Sequence, residues 1–344
     1  MCGIAGVYNY ATDQPVDLTL LLHMSELVAH RGPDDHGFFH DRKIGLAHRR
    51  LSVIDLSQAG HQPMSNEDKT AWIVYNGECY NYLDFHKLLH TRRHKIRSNT
   101  DAEVILHLYE EYDVDLLGKI DGMFAFAIWD LEKQRLFIAR DRIGIKPLFY
   151  YQDPQRLLFA SELKSLLADP DISREIDYGA LGNFFRLMSI PDPNSIFKYI
   201  KKLQPGHYLL VEKGKVQVKS YWDISHFRPA AVNNFETACK QFNRHFEETV
   251  KSHMIADVPL GAFLSGGVDS SALVAMTSQD RKTPVHTISA SFKGLREFDE
   301  SGFASQVAQK FGTDHQEFQL EPDLMSALPK MVWHADEPFA ISSA

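Results

Sequence analysis

The stretch "DVPLGAFLSGGVDSSALVAMTSQ" (257–279) admits few folds. An apolar run meets two adjacent glycines, and a helix-forming segment opens at once with an acid and two hydroxyls. A strand that turns this sharply into a helix is the first half of a crossover unit, and its helix must cover one face of a parallel sheet. The following chain keeps that rhythm: "TPVHTISASF" reads as a strand and "DESGFASQVAQKFGTDH" as a helix. Just upstream, Phe235, Ala238, Cys239, Phe242, Phe246, Val250 and Met254 recur at steps of three and four, predicting an amphipathic helix over 235–254. The turn itself is built for an anion. Gly266 and Gly267 let the backbone come close, the start of the helix offers free N–H groups, and Ser265, Ser270 and Ser271 add hydroxyl donors. Asp269 would repel a phosphate, so a magnesium ion between the two is the natural complement. No Lys follows the glycines and the spacing is not G-x-G-x-x-G, so this is neither of the common nucleotide loops. A plain strand–helix turn capped by Ser and Asp stands beside the phosphate reading.

Residues 1 to about 210 have a different rhythm. "KTAWIVYNGE", "GMFAFAIWD", "RLFIARD", "PLFYYQ", "RLLFAS" and "HYLLVEKGKVQVKSYW" are aromatic or β-branched and are broken by Gly, Pro and Asp. Helices interrupt them. In "TDAEVILHLYEEY", Thr100 followed by Glu103 is a capping-box pattern, and Val104, Ile105, Leu108, Tyr109 and Tyr112 share one helical face. Strand groups with a few helices predict a layered α+β domain. The expected organisation is therefore a domain at 1–212, a linker at 213–234 and an α/β parallel-sheet nucleotide-binding domain at 235–344.

The N-terminus, "MCGIAGVYNY", places a thiol at the second residue, just before a strand. Once Met1 is trimmed, Cys2 carries the α-amino group of the chain. A free thiol has a pKa of about 8.5 and an α-amine one of about 7.7–8.0, so a neutral amine is available near pH 7 to take the thiol proton. One residue then supplies both nucleophile and base. A buried structural cysteine is the plain alternative. Cys2, Cys79 and Cys239 are odd in number and far apart, which is no disulfide framework and suits a reducing cytoplasm. The net charge of −8 has no long run of one sign, so neither nucleic acid nor an anionic membrane is suggested. No secretory leader or membrane-length apolar run is expected. The 17 histidines show no His-Glu-x-x-His spacing and read as surface or core residues.

"SGGVDSS" resembles the pyrophosphate loop of the N-type ATP pyrophosphatases, and "MCGIAGV" resembles the start of class II glutamine amidotransferases. Taken with "HRGPDD", "HRRLSVIDLS", "QPM", "YNGECYNY", "NTDAEVI", "ARDRIGIKPLFY", "ASELKSLL", "PGHYL" and "DEPFA", the order of motifs resembles the glutamine-hydrolysing asparagine synthetase family along essentially the whole chain. The resemblance implies an N-terminal nucleophile hydrolase domain of layered αββα form, with Cys2 as nucleophile and base. It places the oxyanion of the tetrahedral intermediate against Asn76 and Gly77. Without the resemblance, "NG" is most often a hairpin turn. It assigns the carboxylate of glutamine to Arg50 and its amino group to Asp101, with Val53 and Glu78 completing the pocket. Arg49 is the neighbouring decoy. For ATP it implies Leu264, Ser265, Gly266, Gly267, Asp269, Ser270, Ser271 and Ala290, with Asp269 acting on magnesium indirectly.

The implied substrates are glutamine, ATP with Mg²⁺, and aspartate, with no tightly bound organic cofactor. A homodimer is left open. The chain stops at "DEPFAISSA", whereas the resemblance implies a second glycine-rich motif with acidic residues further on, so the nucleotide-binding domain is expected to be a first part only. That leaves the amide acceptor unread. A related enzyme acting on a sugar-acid or peptide carboxylate, and a chain acting only as a glutaminase or binding partner, are the alternatives.

Overall fold

The computed structural model describes residues 1–227, 234–279, 283–292, 299–321 and 323–340. Residues 228–233 of the expected linker and the closing "ISSA" lie outside the described residues. By their contacts the described residues form two units, one comprising 1–227 with 332–340 and the other 234–331.

The first unit contains two six-stranded antiparallel sheets. One runs in the order Ile200–Lys202, Phe149–Gln152, Leu157–Ala160, Gly3–Tyr8, Ile44–Arg50, Asp35–Asp41. The other runs Lys215–Ser220, His207–Glu212, Arg135–Arg140, Gly122–Asp130, Ala71–Cys79, Met64–Ser65. The strand period of two divides the side chains between two cores. From Gly3–Tyr8, Ile4 and Tyr8 join Leu46, Phe159, Val74, Ala127, Trp129 and Ile138 between the sheets. Ala5 and Val7 of the same strand face the other way, onto Leu21, Met24, Leu163 and Leu166 of the helices Leu18–Glu26 and Leu163–Leu166. Gly6 is dictated by this stacking, since a Cβ there would lie 2.3 Å from the Phe159 ring. Helix Asp101–Tyr112 packs on strand Ala71–Cys79 of the second sheet. The result is the expected αββα layering.

Three local expectations change. The strand "HYLLVEKGKVQVKSYW" is a hairpin turning at Lys213 (φ 50°) and Gly214 (φ 72°). A boundary at 212 would cut that hairpin, so the first unit continues past it. The capping box forms only in half. Thr100 Oγ1 accepts from the Glu103 N–H at 3.3 Å, but the Glu103 carboxylate takes the N–H groups of Arg97 and Ser98 instead of that of Thr100. The helix it starts is buried on all sides from Asp101 to Tyr109, not on one face.

The second unit has a parallel three-stranded sheet, Gly261–Phe263, His286–Phe292 and Asp314–Leu320, with helices Phe235–Ser252, Val268–Thr277 and Ser301–Phe311. Its core is small: Leu264, Val274, Ala304 and Ala308. The apolar run ahead of the glycines forms only a three-residue edge strand, with Phe263 84% exposed. The amphipathic helix forms as Phe235–Ser252, yet Phe235 and Phe242 are exposed and only Val250 is buried.

Candidate functional site

Antiparallel pairing brings the first residues to the end of a neighbouring strand. Gly3 lies opposite Arg49, which sets Cys2 beside the turn that follows Arg50. The Leu51 N–H points at the Cys2 sulfur at 3.4 Å, and the thiol lies 3.7 Å from the Leu51 carbonyl oxygen. Arg31 Nε donates to the Cys2 carbonyl at 2.9 Å. Burial pushes the Cys2 thiol up, so at neutral pH it is a thiol in need of a base. The nearby α-amine, here carried by Met1, is pushed down by its own burial, which favours the neutral, proton-accepting form.

A cavity of about 40 Å³ opens against this sulfur, lined by Cys2, Arg50, Val53, Gly77, Glu78 and Asp101 together with Leu51, Gln62 and Tyr75. Six of the residues expected from sequence therefore meet in one place. Alternation along strand Ile44–Arg50 separates the two arginines. Arg49 donates to Ser25 Oγ at 2.9 Å, away from the cavity, whereas Arg50 lines it. The Arg50 guanidinium is held in a cradle of carbonyls, donating to Ser57 at 2.9 Å and Ile54 at 3.2 Å, and also to Asp55. It lies directly over Gly60, where a Cβ would stand 1.9 Å from Nη2.

Asp101 heads its helix and is 5% exposed. Its carboxylate accepts from the Tyr75 hydroxyl at 2.8 Å and the Cys79 N–H at 2.7 Å. Burial raises its pKa, against the pull of those donors. Burial, and next the Asp101 charge, push Glu78 up to about 8, with Lys146 opposing. A buried and a half-buried carboxyl on one cavity wall make a site short of positive charge, suited to an ammonium group. Asn76 and Gly77 do not form a hairpin turn. They sit within strand Ala71–Cys79, opposite Ala125 and Phe124. Asn76 is 1% exposed and both its amide N and O lack a hydrogen-bond partner. It is absent from the cavity wall, while its neighbour Gly77 is part of it. A buried amide without partners is costly unless a ligand supplies one.

Sequence reasoning passed over Leu51, Gln62, Tyr75 and Gly60, because backbone or packing roles leave no chemical signature in residue type. Gln62 accepts the Tyr75 N–H at 2.8 Å, and the His48 ring N–H donates to the Tyr75 carbonyl at 3.0 Å. Burial holds His48 neutral, its pKa pushed down to about 4. A larger cleft of about 540 Å³ bordered by Asn9, Gln14, Tyr151 and Arg156 contains none of the expected residues.

In the second unit the glycine turn adopts the expected loop. Gly266 has φ +82°, and helix Val268–Thr277 starts after Gly267 with no side chain capping it. Ser265 Oγ accepts from the Gly267 N–H at 3.2 Å and meets Ser270 Oγ at 3.0 Å. Ser271 Oγ is buried without a partner. Asp269 is in the first helical turn. The Leu264 N–H donates to Ile288 O at 2.8 Å, and Ala290 lies further along that same strand, exposed. Uncapped N–H groups and an orphaned hydroxyl suit a phosphate. Asp269 suits a magnesium ion carried in with it; no other acid joins Asp269 in a metal-binding group among the described residues.

Comparison with known proteins agrees with this two-part arrangement. Residues 1–222 match the family described as glutamine amidotransferase domain, and residues 241–344 match asparagine synthase. The chain is 37% identical over its whole length to "Asparagine synthetase [glutamine-hydrolyzing] 1" of Bacillus subtilis, spanning 54% of that protein. It is 36% identical to "Putative asparagine synthetase [glutamine-hydrolyzing] 2" of Methanocaldococcus jannaschii, with 98% of this chain and 69% of that one covered. It is 32% identical to "Asparagine synthetase B [glutamine-hydrolyzing]" of Escherichia coli, with 98% and 57% covered. The chain thus spans about half the length of several curated relatives it matches. In structure it is similar to the "allosteric regulatory enzyme of purine biosynthesis", at a TM-score of 0.51, 12% identity and 93% and 90% coverage, which speaks to fold alone. Motif order, layered fold and the shared cavity converge with these matches: the chain belongs to the glutamine-hydrolysing asparagine synthetase family.

Proposed function

We propose that this chain carries the glutamine-hydrolysing part, and the ATP-binding loop, of a glutamine-dependent asparagine synthetase. The observation that carries the reading is the meeting of Cys2, Arg50, Glu78 and Asp101 around one cavity. After removal of Met1, the α-amine of Cys2 takes the thiol proton, and the thiolate attacks the side-chain amide carbon of glutamine. The oxyanion faces the Gly77 N–H and the unpartnered Asn76 amide. The proton passes to the departing nitrogen, ammonia leaves, and water hydrolyses the thioester to glutamate. Arg50 holds the substrate carboxylate, and Asp101 with Glu78 hold its ammonium group. Val53 contributes backbone contacts.

In the second unit, Ser265, Gly266, Gly267, Ser270 and Ser271 hold the phosphates of MgATP, with Asp269 near the magnesium. Leu264 and Ala290 border the adenine. ATP activates the β-carboxylate of aspartate as an acyl-adenylate, pyrophosphate leaves, and ammonia displaces AMP. The aspartate assignment rests on the names of the relatives. Among the described residues no helix is long and apolar enough to cross a membrane. The proposed setting is a reducing cytoplasm, in keeping with three free cysteines.

The test is Cys2→Ala. Glutamine hydrolysis should vanish, while ammonium-dependent, aspartate-dependent pyrophosphate release by the full protein persists. Hydrolysis near the wild-type rate would remove Cys2 from the reaction.

A further inference from the structure

Away from the cavity, four side chains converge at the other end of helix Asp101–Tyr112. Glu67, His94, His107 and Glu110 each turn one ligand atom inward, all within 4.8 Å of one another. His107 Nδ1 is 2.6 Å from Glu110 Oε2 and 3.7 Å from Glu67 Oε2, and His94 Nδ1 is 3.6 Å from Glu110 Oε2. Each residue has its other polar atom engaged or buried on the outside. Glu67 Oε1 accepts the Lys95 N–H at 3.3 Å, and Glu110 Oε1 accepts from Asn66 Nδ2 at 2.8 Å. His94 Nε2 donates to Glu111 Oε1 at 2.9 Å. His107 Nε2 lies 3.9 Å from Glu103 Oε1.

That outer ring has a consequence inside. When its proton on Nε2 serves Glu111, His94 turns the lone pair of Nδ1 toward the Glu110 carboxylate, an arrangement that a cation between them satisfies. Glu67 Oε2 is buried and has no hydrogen-bond partner, and His107, fully buried, has none at Nε2. Carboxylates that orient ligating imidazoles through the far nitrogen are the usual support of a metal centre. A tetrahedral zinc ion with bonds of about 2.0–2.1 Å has ligand–ligand edges of about 3.3 Å. The distances of 2.6, 3.6 and 3.7 Å straddle that value. Two imidazoles with two carboxylates suit a first-row divalent transition metal better than calcium or magnesium.

We propose that Glu67, His94, His107 and Glu110 form a binding site for one divalent transition-metal ion of the zinc type. The ion displaces the proton shared by His107 and Glu110. It ties the loop at Glu67 and the segment at His94 to the helix whose first residue, Asp101, faces the cavity. The site is structural: every ligand is protein and none lines the cavity.

The test uses untagged protein stripped with EDTA and then titrated with Zn²⁺, with Co²⁺ as a spectroscopic probe. One ion per chain should survive gel filtration, Co²⁺ should show the intense visible bands of a low-coordinate site, and Zn²⁺ should raise Tm. His94→Ala and Glu67→Gln should each weaken affinity by about tenfold or more, with far-UV circular dichroism and glutamine hydrolysis unchanged. Cys2→Ala should bind as wild type, which separates this site from the thiol. No retained ion, or affinity in both variants close to that of the wild type, overturns the proposal. Should His94→Ala fail to fold, the isosteric Glu67→Gln decides alone.

Discussion

Gly60→Ala tests the role given to Arg50 without substituting any side chain proposed to hold substrate. The added methyl would stand 1.9 Å from Nη2 and 2.4 Å from Cζ of Arg50, so the guanidinium must retreat by roughly 1.5 Å to reach ordinary contact. Such a shift breaks the bonds to the Ser57 and Ile54 carbonyls, now 2.9 and 3.2 Å. Charged hydrogen bonds are worth about 1.5–3 kcal/mol each, and part of that returns through water. The net effect falls on position more than on stability, and a displacement of about 1 Å can cost about a hundredfold. Gly60→Ala should therefore raise the glutamine KM about ten- to a hundredfold. Tm should fall by less than about 5 °C. Arg49→Ala, acting on the far side of the strand, should change KM by no more than about twofold. Steady-state glutaminase kinetics with a coupled glutamate assay measure all three. In an Arg50→Ala background the glycine change should add less than about 0.5 kcal/mol, since the partner it disturbs is gone. A Gly60→Ala enzyme with a wild-type KM would refute the placement of the substrate carboxylate on Arg50.

Glu78, raised to about 8 from its ordinary 4.5, is mostly protonated at pH 7 in the free site. An incoming ammonium favours the carboxylate, so glutamine binding should release a proton. Affinity should rise with pH until about 8 and then level off. Calorimetry in buffers of different ionisation enthalpy, using Cys2→Ala, detects the release, and Glu78→Gln should abolish it; equal heats in all buffers at pH 7 would contradict the assignment. The same shift means that neutral Glu78 supports the fold fully below its unfolded pKa, and that this support is lost as pH rises through about 8. Gly266→Ala places a side chain at φ +82° with its Cβ 2.5 Å from Phe303 Cβ. The left-handed backbone alone costs about 1–2 kcal/mol. Protease sensitivity of 234–331 should increase while glutamine hydrolysis stays unchanged, and an unaltered digestion pattern would speak against the loop geometry.

Periodicity made the two regions legible, because burial on a pleated sheet or a crossover helix constrains residue type at every second or every third and fourth position. Local chemistry was less so. Asn76–Gly77 carries a strong turn signal, yet strand partners on Gly122–Asp130 override it. Glu103 had a capping role written beside Thr100, but the backbone of Arg97 and Ser98 competes for the same carboxylate. Arg49 and Arg50 were separable in principle by strand alternation once the register was known. The Phe235–Ser252 helix has the pattern of a buried face without being covered among the described residues. His94 and His107 stand on a connecting segment and a helix, so their pairing exists only in three dimensions and no spacing rule announces it.

The strand Gly3–Tyr8 is laid between Ile44–Arg50 and Leu157–Ala160, with Ala5 paired to both Ala47 and Ala160. Chain ends are ordinarily the last places to be held firmly. Here the first strand to leave the ribosome cannot complete its sheet until one of the later strands has been made, which is a folding problem of high contact order. For that interval the N-terminus is extended and open to a processing peptidase. Insertion of the strand then fixes Cys2 at the edge of the cavity, while Met1 ahead of it stays 54% exposed. On the proposed role of Cys2, trimming of Met1 therefore remains open after the sheet has closed, and the residue that follows it is already held in place when its amine is freed.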